Sequence, residues 1–288
     1  MIKLPLNIFT SDECFPFFIQ YGEHKEDLYM HSHENFSELV IVLNGSAEHI
    51  VDNEKYRISK GDVFVISDET VHGYANVKDF RICNIMFDPM FFITPELDIA
   101  ESAGFQALFV LEPHCSRTKH FASRLKLDFN AFIQITHLIE KLYQEYTEKQ
   151  TGWKTMVKSD FLNLAVVLSR LYNVEKITDE TGIIKLAEAI AYIEKNYAEP
   201  ISVSGLARLS NYSERQFIRL FKETLGCIPI DHITNLRMQK ARELLKTSSL
   251  PIAEIASRCG YNDSNYFSRT FKKHNAETPS EYRLNFRK

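Results

Sequence analysis

The feature that most constrains this chain is an internal repeat in its last third. The run VSGLARLSNYSERQFIRLFKE, beginning at Val203, returns as IAEIASRCGYNDSNYFSRTFKK, beginning at Ile252. Ala207 matches Ala256 and Tyr212 matches Tyr261. After one extra residue in the second copy, Phe217, Arg219, Phe221 and Lys222 match Phe267, Arg269, Phe271 and Lys272, and Pro229 then matches Pro279.

Each copy has the pattern of two short helices joined by a tight turn. In the first, Leu206, Ala207 and Leu209 give the leading helix an apolar face. Asn211 suits a left-handed turn position, and Ser213 is placed to cap the next helix. In the second, Gly260 takes the turn position without steric cost, and Asn262 or Asp263 can cap. The small Ala207 and Ala256 let the paired helices approach closely. This is the sequence form of a helix-turn-helix.

The second helix of each copy has two faces. Phe217, Leu220 and Phe221 share one stripe, and Arg215, Arg219 and Lys222 share another. Phe267 and Phe271 repeat the apolar stripe, while Asn265, Arg269 and Lys272 repeat the polar one. A single copy would pass for an ordinary amphipathic surface helix. Two copies with the same anchors and the same arginine point to DNA reading: arginine forks to guanine O6 and N7, asparagine pairs with adenine N6 and N7, and lysine neutralises phosphate. Between the copies, Pro229 opens a run through Lys246 with Ile233, Leu236, Met238, Ala241, Leu244 and Leu245 at helical spacing. Such a helix would link the modules rigidly. Heads about 34 Å apart would enter successive major grooves on one face of the duplex.

Charge follows the same division. From Gly182 onward there are 17 Lys/Arg against 11 Asp/Glu, and the preceding part holds 17 against 27, within a whole-chain charge of -4. Only the back part is therefore expected to meet a polyanion. The five cysteines (Cys14, Cys83, Cys115, Cys227, Cys259) are dispersed and form no CxxC, which argues against zinc ribbons and disulfide frameworks. No run reaches the roughly 18 apolar residues of a membrane helix, and the N-terminus lacks a signal-peptide pattern. The expectation is a cytoplasmic protein without membrane association.

Residues up to about 90 have the short runs and turn signals of an antiparallel barrel or sandwich. Phe36 to Leu43 is strand-like and meets a turn signal at Asn44-Gly45. Ala47 to Val51 follows, then a turn at Asp52-Asn53, a strand over Lys55 to Ser59, a turn at Lys60-Gly61-Asp62, and strands over Val63 to Ile66 and Phe80 to Phe87. From about 121 the period becomes helical, with Phe129, Phe132, Ile133, Ile135, Ile139, Leu142 and Tyr146. A second helical run covers Val157 to Tyr172. The polar stretch NVEKITDETG (173–182) reads as an interdomain linker.

At this point a family is recognisable. The run from Ile190 to Arg283, ending in GYNDSNYFSRTFKKHNAETPSEYR, resembles the AraC/XylS family of bacterial transcription regulators. The resemblance implies that Arg215 and Arg219 in the first recognition helix face bases, with Ser264, Asn265, Ser268 and Arg269 in the second; Lys222 and Lys272, on the same polar stripes, are the expected phosphate contacts. It departs from the pattern at Glu277, where glycine is usual, and at Cys227. In the N-terminal part, His31, His33, Glu38 and Gly45 resemble the first cupin motif. Gly61, His72 and Asn76 resemble the second, with Ser67 and Glu69 in place of its usual proline and glycine. In enzymatic cupins such residues converge on one divalent metal, and imidazole with carboxylate suits Zn, Ni, Mn or Fe. Sensory cupins use the same interior to contact a small molecule. The segments around His31 and over HGYANVKDFRICNIMF also resemble the sensor domain of L-rhamnose regulators.

The expected architecture is α+β and multidomain. A cupin β-barrel (jelly roll) occupies 1–118, a helical dimerisation region 119–173, a linker 174–183, and an all-α domain of two helix-turn-helix modules 184–288. The expected function is a sequence-specific activator, controlled by a small molecule such as rhamnose, acting as a homodimer on double-stranded DNA together with RNA polymerase. His31, His33, Glu38, His72 and Tyr74 would contact the sugar, or the first four would hold the metal. Ile135, Leu138, Ile139 and Leu142 would form the dimer seam. No catalytic residue and no required cofactor is assigned. The competing readings are a metal-dependent cupin enzyme with a helical appendage, and a ligand-independent DNA-binding protein.

Overall fold

The computed structural model describes residues 2–286 except 11, 13, 52–53, 69, 93, 95–96, 113–124 and 173–182. The expected turn at Asp52-Asn53, Glu69, Cys115 and the linker stretch 174–182 lie outside the described residues, as do the expected boundaries near 118 and 173. Two compact units emerge, Met1–Thr94 with Ser102–Ala187, and Pro95–Glu101 with Glu188–Lys288.

The first unit is built on eight strands: β1 (Ile2–Pro5), β2 (Phe17–His24), β3 (Leu28–Glu34), β4 (Ser37–Val51), β5 (Glu54–Ser59), β6 (Asp62–Ile66), β7 (His72–Phe87) and β8 (Leu125–Lys126). They form one sheet in the order β1-β3-β7-β4-β6-β8, with β2 on β7 and β5 on β4. All pairings are antiparallel except β1 with β3. The two long strands β4 and β7 form the spine. Glu38, Val40 and Val42 on β4 face Met86, Asn84 and Ile82 on β7. The inner face is filled by Val40, Val42, Ala47, Ile58, Phe64, Ile66, Tyr74, Phe80 and Ile82.

Asn44-Gly45 does not close a hairpin, contrary to the sequence expectation. β4 runs straight through it from Ser37 to Val51, and its register against β7 shifts between Val42 and Glu48. Gly45 has φ +73 and lies against the carbonyls of Lys78 and Asp79, where any Cβ would collide. Opposite it, Asp79 also has a positive φ, of 45°. The turn-forming dipeptide thus serves as a bulge that bends a continuous strand around the barrel corner. The β7 strand likewise begins at His72 rather than Phe80.

Helices α1 (Phe129–Glu148) and α2 (Trp153–Leu171) pack on the barrel's outer face. Asp128 caps α1 by accepting from the Ala131 N–H at 2.9 Å. Phe161 on α2 packs against Phe87 at 4.7 Å between ring centroids, and Tyr146 on α1 against Phe17 at 5.6 Å. This docking revises the proposed dimer seam. Ile135, Ile139 and Leu142 are all fully buried within the unit and Leu138 is half-buried. The apolar stripe of α1 is buried within its own unit, where the helix packs mainly on α2 and also on β2.

The second unit contains α3 (Ile183–Asn196) from Glu188 onward, α4 (Val203–Leu209), α5 (Glu214–Leu225), α6 (Pro229–Thr247), α7 (Ile252–Arg258), α8 (Ser264–Asn275) and α9 (Pro279–Phe286). The repeat is visible bond by bond. Asn211 and Gly260 both adopt left-handed turns, with φ 56° and 78°. Tyr212 and Tyr261 each donate a backbone N–H to Ala207 and Ala256, both at 2.9 Å. Phe217 and Phe221 are buried in the first module, Phe267 and Phe271 in the second. Met238, Ala241 and Leu245 of α6 pack into the second module's core. At 19 residues, α6 is about 28 Å long. Among the described residues no helix is long and apolar enough to cross a membrane.

Candidate DNA-reading face and barrel interior

The recognition helices α5 and α8 are anchored at their N-termini. Ser213 and Gln216 form a complete capping box on α5. On α8 the cap is Asp263, whose carboxylate accepts from the Asn265 and Tyr266 N–H groups at 2.7 and 3.2 Å. The cap and the buried phenylalanines fix the rotation of each helix, so the remaining face is presented outward. Arg215, Arg219 and Lys222 are exposed on α5, and Asn265, Arg269 and Lys272 on α8. Arg219 lies 3.8 Å from Glu223, both solvent-exposed, a pair worth little in water. Ser264 and Ser268 are half-buried, and the Ser268 hydroxyl donates to the Ser264 carbonyl at 2.8 Å. Ser268 therefore has acceptor capacity to offer a base, its proton being engaged. Tyr266, exposed on the same helix, is a member of this face that the sequence reading passed over. Its position three residues before Arg269, on the same side of the helix, was the available signal.

The expected turn departure at Glu277 is displaced by one residue. Ala276 takes the left-handed conformation, φ 64°, that Gly226 takes in the first module with φ 73°. Glu277 instead accepts from Asn285 Nδ2 at 2.7 Å.

In the barrel, β3 presents His31 and His33, β4 presents Glu38, and β7 presents His72 and Tyr74; all are buried. The His33 and His72 Nε2 atoms are 3.2 Å apart, and Glu38 Oε2 lies 3.4 Å from the first and 3.9 Å from the second. Donor atoms of His31, His33 and His72 all fall within 4.8 Å of one another. His31 Nδ1 contacts the Tyr29 carbonyl at 3.0 Å. A proton held there leaves Nε2 as the free donor. Burial, then the nearby His31, pushes His33 down to about 3. Burial first, then the neighbouring histidines, holds His72 well below its ordinary value. Burial lifts Glu38 to about 8. In the close His–Glu approaches, burial thus disfavours the charged form on both sides.

Several polar atoms in this interior have no hydrogen-bond partner among the described residues: His33 Nδ1, His72 Nδ1, the Tyr74 hydroxyl and Asn84 Oδ1. Tyr74 is fully buried, and burial followed by the Glu38 charge raises its phenol. Unsatisfied polar atoms in a buried interior are costly and call for a ligand, an ion or water. Two interior residues were missed from the sequence. His49 is fully buried, stacks on Phe64 at 4.8 Å and lies 5.7 Å from His72. Asn84 lies opposite Val40. The alternation Ala47, His49, Val51 was the signal for His49; Asn84 sat in a run that looked uniformly buried.

Comparison with known proteins agrees with both halves. A family model described as a cupin domain matches residues 17–86, and one described as a helix-turn-helix domain matches 206–285. The chain is 30% identical over 254 residues to the HTH-type transcriptional activator RhaS of Escherichia fergusonii, covering 87% of this chain and 86% of that protein. It is 27% identical over 280 residues to the activator RhaR of Mannheimia succiniciproducens, covering 96% and 95%. Among solved structures, an AraC-type regulator from Chromobacterium violaceum is 38% identical over a match covering 35% of this chain and 91% of that one, with a TM-score of 0.34.

Proposed function

Because the chain belongs to the AraC/XylS family and is a DNA-binding transcription regulator, we propose that it is an activator that reads two successive major grooves and responds to a sugar bound in its cupin unit. The observation that carries the DNA half is the duplicated outward face: Arg219 and Arg269, at equivalent repeat positions, are both exposed on capped, core-anchored helices. Arg215, Arg219, Ser264, Asn265, Ser268 and Arg269 contact base edges, and Lys222 and Lys272 contact phosphates. RNA polymerase is the partner through which activation is exerted. The protein works in the cytoplasm, and no substrate is turned over.

The observation that carries the sensing half is the set of unpartnered buried atoms on His33, His72, Tyr74 and Asn84. A polyhydroxylated ligand such as rhamnose offers donors and acceptors to such groups. His31, His33 and His72, with Glu38 beside them, also fit a divalent metal: ligand bonds of about 2.0–2.1 Å imply nitrogens roughly 3.3 Å apart, and His33 and His72 stand at 3.2 Å. Bound there, Zn, Ni, Mn or Fe would supply a fixed positive charge that polarises a ligand hydroxyl. The protein residues orient that ligand: Tyr74 and His49 form one wall, and Phe36, stacked on His33 at 4.4 Å, closes another. The effector acts by its differential affinity for two conformations of the regulator.

A thermal-shift screen of the full chain against monosaccharides, with and without prior chelation, tests this. A binding sugar raises Tm by mass action, and Tyr74→Phe with His33→Ala should abolish the rise. A Tm shift that survives both substitutions would place the ligand elsewhere. Sugar consumption during incubation would instead favour the enzyme reading. Homodimerisation needs a surface other than the buried stripe of α1. Phe129 and Ile133, 77% and 53% exposed on that helix, are the apolar positions we assign to it. Ile133→Glu should lower the mass measured by light scattering if this is correct, and leave it unchanged if it is not.

A further inference from the structure

In the second unit, the connection from α3 to α4 passes directly against the turn of the second module. A Cβ on Gly260 would stand 2.7 Å from the Ala198 carbonyl oxygen and 2.9 Å from Arg237 Cζ and Nη2. Gly260 also has φ +78. Glycine is thus required there twice, once for the turn and once for the approach of a neighbouring backbone.

Arg237, on the connecting helix α6, fills the seam. Its Nε donates to the Tyr197 carbonyl at 2.8 Å and its Nη2 to the Glu199 carbonyl at 2.9 Å. Its guanidinium lies 5.4 Å from the ring centre of Tyr261, the residue after Gly260. The two carbonyls lie just past the end of α3, where no following helical N–H is in place to pair with them. A planar fork can satisfy both and stack on an aromatic face at once; a lysine cannot. One side chain therefore joins the lead-in to the first module, the connecting helix and the turn of the second module. Each module keeps its own core without it: Phe217 and Phe221 are buried in the first, Phe267 and Phe271 in the second.

We infer that Arg237, seated against Gly260, is a positioning residue that fixes the orientation of the two reading heads and so the spacing of the base pairs they read. This rests on the DNA-reading function proposed above, since spacing has meaning only if both heads engage one duplex.

The test uses the full-length chain and duplexes that the wild type selects from a randomised pool, each also made with one or two base pairs inserted between the two contacted clusters. The wild type should discriminate strongly between native and lengthened spacing. Arg237→Met, which keeps the stem and removes the donors, should weaken binding at native spacing about tenfold or more, the scale of lost charged hydrogen bonds. It should weaken binding to the lengthened sites far less, so that discrimination collapses. Arg237→Lys should restore part of it, and Gly260→Ala, which wedges the seam from the other side, should reproduce the loss. A variant that is merely less folded loses the same factor on every duplex, leaving the ratio intact. An unchanged ratio for Arg237→Met and Gly260→Ala overturns the inference while leaving the regulator reading standing. A wild type that selects no duplex, or ignores spacing, removes the reading and the inference together.

Discussion

The two recognition helices share a scaffold and differ in charge. The first, α5, sets Arg215, Arg219 and Lys222 among Glu214 and Glu223; the second, α8, carries Arg269, Lys272 and Lys273 with no acid. Behind them the packing is duplicated position for position. Phe221 meets His232 edge-on at 5.4 Å, and Phe271 meets Tyr282 edge-on at 5.5 Å. The buried half of each module is held constant by the need to fix the helix, and the outward half is free to diverge. The second head should therefore grip the phosphate backbone more strongly, with the first contributing register and selectivity.

The largest expected effect comes from the matched arginines. Arg269→Ala should cost about 1–3 kcal/mol on selected DNA, and Arg219→Ala slightly less, because the exposed Glu223 competes weakly for its guanidinium. Anisotropy titrations on selected and random duplexes measure both. Equal losses on the two kinds of DNA would remove arginine's base-reading role. Next is the helix C-terminus. Ala276→Gly should stabilise the chain by about 1 kcal/mol and Gly226→Ala should destabilise it by about as much, since a side chain is penalised in the left-handed region. Urea unfolding reads this, and a loss from Ala276→Gly would contradict it.

A smaller contrast should appear with pH. Burial lowers His232 below its ordinary 6.5, so the unfolded chain takes up a proton that the folded chain refuses. Its contribution is whole above pH 6.5 and is lost progressively as pH falls below that value. The equivalent position of the second module holds the phenol Tyr282 rather than an imidazole. Hydrogen exchange should show α5 amides losing protection between pH 7.5 and 5.5 more than α8 amides; equal loss would break the contrast. The smallest effect is Glu223→Gln, which should tighten binding to all DNA by a few tenths of a kcal/mol at low salt and vanish at high salt.

Local signals carried well through to the structure. Asn211, Gly260, Ser213 and Asp263 each do in the turn what their side chains favour, because turns and caps are decided within a few residues. Asn44-Gly45 misled for a physical reason: a left-handed glycine serves a hairpin or a bulge, and the choice was made by Lys78 and Asp79 on a distant strand. The stripe Ile135, Ile139, Leu142 was correctly apolar, but periodicity cannot say whether its own unit or a second copy covers it. The motif histidines were legible by spacing, whereas His49 and Asn84 joined the site only through strand register. Arg237 carries no local signal, because its role depends on carbonyls some forty residues earlier in the chain (separations of 40 and 38).

The most direct measurement is a base-resolution interference footprint of the full chain on a selected duplex, repeated with Arg219→Ala and Arg269→Ala. Two clusters of contacts about 10 base pairs apart on one face are expected, each variant relaxing preference within one cluster only. A single cluster, or both variants relaxing the same bases, would contradict reading by two separate heads.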